Sequence, residues 1–373
     1  MYYRRVAGLL FTILVGAIVV GCDRGGDAGP LTSSKIFLPL AERHASLELL
    51  DFRAVALDWI DDTTVVVIDR DDQQVVLLGL AGGWERRGAG RGGGPGELEG
   101  AFSLLGGAGG EVVVGDMNQN RVSHFDADLD FVRSAQVPGM PLGLLAWDAD
   151  RVTVLWMEFA FRDGAMSPEP TVGVVDLATA EVEVRFSLFA PESGLNRPEA
   201  DNPFAPPFIS AVRGAGGSIL AGHSMEYRIA DLDSMGVLQR AFGRPELGEQ
   251  FLTSAEKAEE RARRSRGARD DGPSAAEMGG MLDEALDAPQ PYFGPDAFSI
   301  DPSGRLWVIT ERMRGDSTEV DVFDHEGTLL MTAALRDRVT ALAFRGGSVA
   351  ALVARTAPHV EGVQGIDVYE LKE

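Results

Sequence analysis

Strand-like runs recur along the chain at a nearly constant interval, and each ends in the same way. The segments QQVVLLGL, NRVSHFD, TVGVVD, YRIADLD, EVDVFD and GIDVYE alternate apolar and polar residues with period two, turn on an acid or a glycine, and mostly resume as another strand. The turning residues are Gly79, Asp126, Asp176, Asp233, Asp324 and Glu370, which stand 47, 50, 57, 91 and 46 residues apart. Two earlier runs precede each mark, AVALDWI and TTVVVID in the first unit and VTALAFRG and SVAALVA in the last.

About six units of four strands at a period of roughly 40 to 50 residues describe an all-β, six-bladed β-propeller of four-stranded antiparallel blades. The sixth unit stops at Glu373 after its third strand. The run KIFLPLAE, Lys35 to Glu42, is expected to supply the missing outer strand, because closing the ring with the opposite terminus removes both open edges. The outlying spacing of 91 holds a small helical insertion between blades four and five, residues 244–289. There Thr253-Ser-Ala-Glu256 reads as a capping box opening a first helix that stops at Gly267, and Ser274-Ala-Ala-Glu277 opens a second.

The first 21 residues combine the basic pair Arg4 and Arg5 with an apolar stretch, Val6 to Val20, too short for a comfortable membrane span. Val19-Val20-Gly21-Cys22 resembles a bacterial lipobox, and Cys22 is the single thiol of the chain. That resemblance implies cleavage after residue 21, diacylation (palmitate-type) at Cys22, and a body held at the bacterial cell envelope, facing the periplasm or exterior. Residues 22–34 have the polar, glycine-rich composition of a flexible tether, and the propeller is expected over 35–373. With 34 Lys and Arg against 57 Asp and Glu the net charge is −23, which repels phosphate backbones and argues against nucleic acid as a partner.

The stretch GAGRGGGPG, residues 88–96, matches a dinucleotide fingerprint in spacing, but no helix follows to present its N-terminus to a pyrophosphate. Gly94-Pro95-Gly96-Glu97-Leu98, then Asp116, Asn120, Arg121, Val122, Phe125 and Asp126, resembles an NHL repeat. The blade around Tyr227-Arg228-Ile229 keeps the arginine and places His223 where Asp116 stands. The resemblance implies a propeller and carries no catalytic residue with it, so the glycines read as a steep turn between blades. In architecture the chain is also similar to TolB-like envelope propellers.

Loops joining second to third strands share one face of a propeller with the loops joining outer strand to next inner strand. All the long segments fall there: the glycine-rich stretch, Met157 to Pro170, Ala190 to Pro207, and the insertion. Loops on a rigid scaffold carry function, so this face is the expected binding face, with Arg121, His223 and Arg228 as candidate contacts. The insertion packs Arg261, Arg263, Arg264, Arg266 and Arg269 into nine residues, either a dock for an acidic protein, a glycan or an anionic membrane, or a solvated helix paired with the protein's own acids.

Catalytic patterns are sparse, and no catalytic residue is assigned. The five histidines, 44, 124, 223, 325 and 359, include no pair at metal-ligand spacing, and GHSME fails the nucleophile-elbow pattern at its last position. DADLDF lacks the glycine and the final acid of a calcium loop. Calcium-dependent lactonases gather acids around the channel of a propeller, and Asp116, Glu158, Glu226 and Glu311 near the ends of second strands are the residues that would do so here. The chain therefore reads as a lipid-anchored binding or scaffolding module needing no cofactor, with a metal-dependent lactonase or hydrolase as the alternative.

Overall fold

The computed structural model describes residues 45–49, 53–162, 165–197, 208–258, 261, 283–314, 317–355 and 363–371. They form six four-stranded antiparallel sheets. Blade one is β2 to β5 (Ala54–Trp59, Thr64–Asp69, Gln74–Gly79, Glu85–Gly88), and blade two is β6 to β9 (Ala101–Gly106, Val112–Asp116, Arg121–Phe125, Phe131–Gln136). Blade three is β10 to β13 (Met140–Asp148, Arg151–Arg162, Ala165–Asp176, Val182–Ser187), and blade four is β14 to β17 (Ile209–Arg213, Ile219–His223, Arg228–Leu232, Leu238–Gly243). Blade five is β18 to β21 (Phe293–Ile300, Leu306–Arg314, Ser317–Phe323, Leu329–Arg336). Blade six is β22 to β24 (Arg338–Arg345, Ser348–Ala354, Gln364–Glu370) completed by β1 (Ala45–Leu49).

The outer strand of blade six thus comes from the N-terminal side, as expected, but from different residues. Strand β1 pairs antiparallel with β24 in the register Ala45↔Val368 to Leu49↔Gln364. Lys35 to Glu42 lie outside the described residues. The ring is sealed by an apolar cluster in which Leu49, Trp59, Val65 and Val67 meet Leu352 and Ile366.

The period-two pattern survives, with a difference in what it means. The middle strands β3, β7, β8 and β15 are buried at every position. Alternate side chains of one strand enter different cores: Val65 and Val67 pack between blades six and one, while Val66 and Ile68 pack between blades one and two. Val112 and Val114 likewise face blade one, and Val113 faces blade three. A blade inside a ring has two neighbours, so both faces of its central strands are desolvated.

The repeated acids have a local cause. Asp126, Asp233 and Asp324 each accept two backbone N–H bonds across the turn from third to fourth strand, from residues two and four positions on, at 2.8–3.0 Å. Asp176 does the same with Ala178 and Thr179. An Asx-type turn closed in this way needs only a short link between strands.

Among the described residues, a second device appears at three of the six blade junctions. Gln73 accepts from Ala101 N at 2.8 Å, Thr318 Oγ1 accepts from Val339 N at 2.9 Å, and Gln364 Oε1 accepts from Ala54 N at 2.7 Å. Each side chain stands at the start of a third strand and holds the start of the following inner strand. Blades five and six also enclose charges: Arg355 bonds Asp367 at 2.8 and 2.9 Å and Asp337 at 3.1 Å, all three buried. Asp321 accepts from Tyr227 Oη at 2.6 Å and Arg312 Nη2 at 2.7 Å.

In the insertion the capping box of Thr253 and Glu256 is formed reciprocally, at 2.7 and 3.3 Å. Residues 254–258, 261 and 283–287 are helical. The segment Met157 to Pro170 is a continuation of β11 and β12 rather than an irregular loop. Glu158 to Arg162 pair with Ala165 to Glu169 beyond the start of the inner strand, carrying the hairpin roughly 17 Å past the blade. Among the described residues no helix is long and apolar enough to cross a membrane.

Candidate functional site

The glycine-rich stretch before blade two is an ordered turn held by the residues that resemble an NHL repeat. Gly94 N donates to Glu97 Oε2 at 2.7 Å, and Arg121 donates to the carbonyls of Gly94 and Glu97. Asp116, fully buried, accepts backbone N–H bonds from Glu99, Gly100, Asn118 and Gln119 at 2.8–3.1 Å. Gly96 takes a φ of +78°, and a Cβ there would lie 2.7 Å from the Phe131 side chain, so only glycine fits. The motif is a clamp on the turn between blades one and two.

The other described residues singled out in sequence are bonded or buried. Arg228 donates to the carbonyl of Gly194 and is half-buried. His223 is 2 % exposed, and its nearest charged neighbour is Glu226 at 3.7 Å. Neither of its ring nitrogens has a hydrogen-bond partner, and burial lowers its pKa. Arg121 and His223 are therefore closed off from a partner at the surface. Arg261 forms an ion pair with Asp283 at 2.7 Å, and Arg263, Arg264 and Arg266 lie outside the described residues, as does Cys22.

The four acids proposed to converge on a metal do not do so. Asp116 is consumed by the turn, Glu158 accepts from Trp156 Nε1 at 2.6 Å, Glu226 accepts from Asn196 at 3.1 Å, and Glu311 pairs with Arg338 at 2.9 Å. Among the described residues there is no group of three or more His, Cys, Asp or Glu placed to hold a metal ion.

The site that the ring does assemble lies at the mouth of the central channel, on the long-loop face. It is a cavity of about 300 Å³ bounded by the starts of inner strands β2, β18 and β22 and the ends of second strands β3 and β19. Arg53 and Arg70 flank the paired ends of β2 and β3, with Arg70 N donating to Arg53 O at 2.8 Å. Both side chains line the cavity, both are exposed, and neither has a hydrogen-bond or ion-pair partner among the described residues. The Arg338–Glu311 pair stands beside them.

On blade five, β18 departs from regular pairing between Phe293 and Phe298. The bulge Gly294-Pro295-Asp296-Ala297 is pinned by the buried Ser210 of blade four. Ser210 Oγ donates to Gly294 O at 2.9 Å and accepts from Ala297 N at 3.4 Å. Asp296 takes a φ of +54°, which is uncommon for a residue with a side chain. It is half-buried, without a hydrogen-bond partner among the described residues, and burial pushes its carboxyl up to about 7. A strained backbone, an unpartnered acid and a bulge in one place are features that cluster at functional sites.

Arg53, Arg70 and Asp296 were not identified in sequence. Gly-Pro-Asp inside a strand-like run was the available signal, since proline interrupts a ladder and marks a bulge. Nothing local distinguishes Arg53 and Arg70 from other surface arginines.

No protein-family model matches the chain, and no curated protein matches it. Among solved structures the chain is similar to a member of the DUF4221 family from Bacteroides vulgatus, with a TM-score of 0.55 at 11% identity over 89% of this chain and 98% of that one. A virginiamycin B lyase from Staphylococcus aureus gives a TM-score of 0.46 at 12% identity over 88% of each chain. The calcium-binding protein regucalcin from Agrobacterium tumefaciens gives 0.46 at 12% identity, over 88% of this chain and 96% of that one. At these identities the likeness is one of fold alone.

Proposed function

We propose that this protein is a ligand-binding module of the bacterial envelope, and that it binds at the mouth of its channel on the long-loop face. The observation that carries the reading is the state of the charges there. Two guanidinium groups and a half-buried carboxyl share one cavity without partners, while buried arginines elsewhere are bonded to carbonyls or acids. An unpartnered, partly desolvated charge costs stability, and a ligand that completes it recovers that cost on binding.

The lipobox-like run ending in Cys22 supports anchorage by acyl chains, which holds the propeller at a membrane surface facing the periplasm or exterior. The arginine-rich insertion opens on the same face and supports a protein or glycan partner approaching from that side. Replacement of Cys22 by serine should move the protein out of the membrane fraction, and unchanged retention would remove the anchor from this reading.

The binding claim is tested by thermal-shift screening of the full chain against a library of small polar metabolites, in parallel with an Arg53→Ala/Arg70→Ala variant. Stabilising compounds that lose their effect in the variant support the site. Stabilisation that is identical in both proteins would place binding elsewhere.

A further inference from the structure

We infer that the channel mouth is built for a small zwitterion whose ammonium and carboxylate are separated by a short spacer, a ligand of dipeptide size. This inference rests on the binding reading above and names the ligand class for the same site.

The argument begins with sign and position. Arg53 and Arg70 stand on blade one, Asp296 on blade five, and blade six lies between them. Unpartnered positive and negative groups therefore stand on separate, non-adjacent blades around one cavity. Asp296 forms no ion pair with Arg53 or Arg70 among the described residues, although all three line the same cavity. Had the two walls been within ion-pair reach, they would have closed on each other, as Arg338 and Glu311 do at 2.9 Å.

The space around the charged groups mixes apolar side chains with the polar Thr310, Thr340 and Gln364. Val55, Phe102, Ile309 and Val339 supply its apolar surface. A simple anion would satisfy the arginines and leave Asp296 without a partner. A simple cation would do the reverse. A molecule carrying both charges satisfies both walls and buries its spacer, and about 300 Å³ lies at the small end of ligand cavities. An α-amino acid carries both charged groups on one carbon, whereas the ends of a dipeptide are separated by two α-carbons and the peptide unit between them, which suits groups on non-adjacent blades. Guanidinium presents paired donors to a carboxylate, and a carboxylate accepts from an ammonium, so each wall has the chemistry its end of the ligand requires.

The test uses calorimetric titration of the full chain with three matched probes: the dipeptide Ala-Leu, its N-acetyl derivative, which lacks the ammonium, and its C-terminal amide, which lacks the carboxylate. Ala-Leu should bind most tightly, and each blocked form should bind about tenfold or more weakly, the scale of one charge-assisted hydrogen-bond set. Asp296→Asn should weaken Ala-Leu and the amide but not the acetylated form. Arg53→Ala/Arg70→Ala should weaken Ala-Leu and the acetylated form but not the amide. Equal binding of Ala-Leu and its acetylated form, insensitive to Asp296→Asn, would overturn the zwitterion and leave an anion site at the channel mouth. Absence of binding by all three probes, alongside library compounds that depend on Arg53 and Arg70, would overturn the ligand class while the site stands. Absence of both would remove the site as well.

Discussion

The side-chain amide of Gln364 bonds both backbone groups of Ala54: Oε1 accepts from Ala54 N at 2.7 Å, and Nε2 donates to Ala54 O at 3.1 Å. The two residues are 310 positions apart, and the contact joins the third strand of the last blade to the inner strand of the first. It lies at the one junction where ring closure depends on the two ends of the propeller meeting. Gln364→Leu removes both bonds while keeping the volume, and should destabilise the fold by about 1–3 kcal/mol in denaturant unfolding. An unchanged midpoint would show that β1 alone seals the ring.

Strand β1 covers the edge of β24, whose Ile366 and Val368 belong to the closing core. A chain that begins after Leu49 leaves that edge and its backbone groups unpaired, and exposed edges template association. Such a chain should form oligomers or aggregates by size-exclusion chromatography. A monomer melting at the temperature of the full chain would contradict the assigned role of Ala45–Leu49.

Arg121 and Arg86 make a controlled comparison. The Arg121 guanidinium is buried against two carbonyls of the interblade turn, whereas Arg86 pairs with Asp128 in the open, at 48% and 77% exposure. Arg121→Ala strands the carbonyls and should cost on the order of 2–3 kcal/mol, while Arg86→Ala should change stability by about 0.5 kcal/mol or less. Similar losses in both would mean that the clamp is solvated in solution.

The Arg355–Asp367–Asp337 group is fully enclosed. Arg355→Leu leaves two acids buried without their cation and should cost about 3–5 kcal/mol. Adding Asp367→Asn and Asp337→Asn should recover a large part of that loss, since neutral amides carry a smaller desolvation penalty. A triple variant no more stable than the single one would point to packing instead of charge.

Stability should respond to pH through Asp296. Its carboxyl sits at about 7 in the folded chain, against about 3.9 for an ordinary aspartate. The folded state therefore keeps a proton that the unfolded state has released, and its stability falls as pH rises from about 4 to 7. Asp58, pushed by burial to about 6, acts in the same direction. His124 and His223, whose pKa values burial lowers, act oppositely: their contribution is lost as pH falls through about 6.5. Asp296→Asn removes one slope only, so the variant should gain stability relative to the parent across that window and then level off. A difference constant with pH would show that the carboxyl ionises normally.

How much of this molecule is legible in its residue order follows from the range over which each property is set. Blade number, the assignment of inner, second and third strands, the capping box at Thr253 and the turn acids Asp126, Asp176, Asp233 and Asp324 were all readable. Each depends on residues within a few positions of one another: side-chain alternation in a strand, a carboxylate reaching an amide two to four residues on. The closing strand was not. KIFLPLAE is the more strand-like run, yet ASLEL pairs with β24, because pairing across the ring junction is settled by register and by the core that Leu49 enters. The site was hidden for a related reason. Arg121 and Arg53 look alike in the chain, but the first is bonded within the turn between blades and the second faces a cavity whose other wall begins more than 240 residues later. Whether a charged side chain is bonded or left open is a matter of what the ring brings within 3 Å of it, and strand periodicity carries no record of that distance.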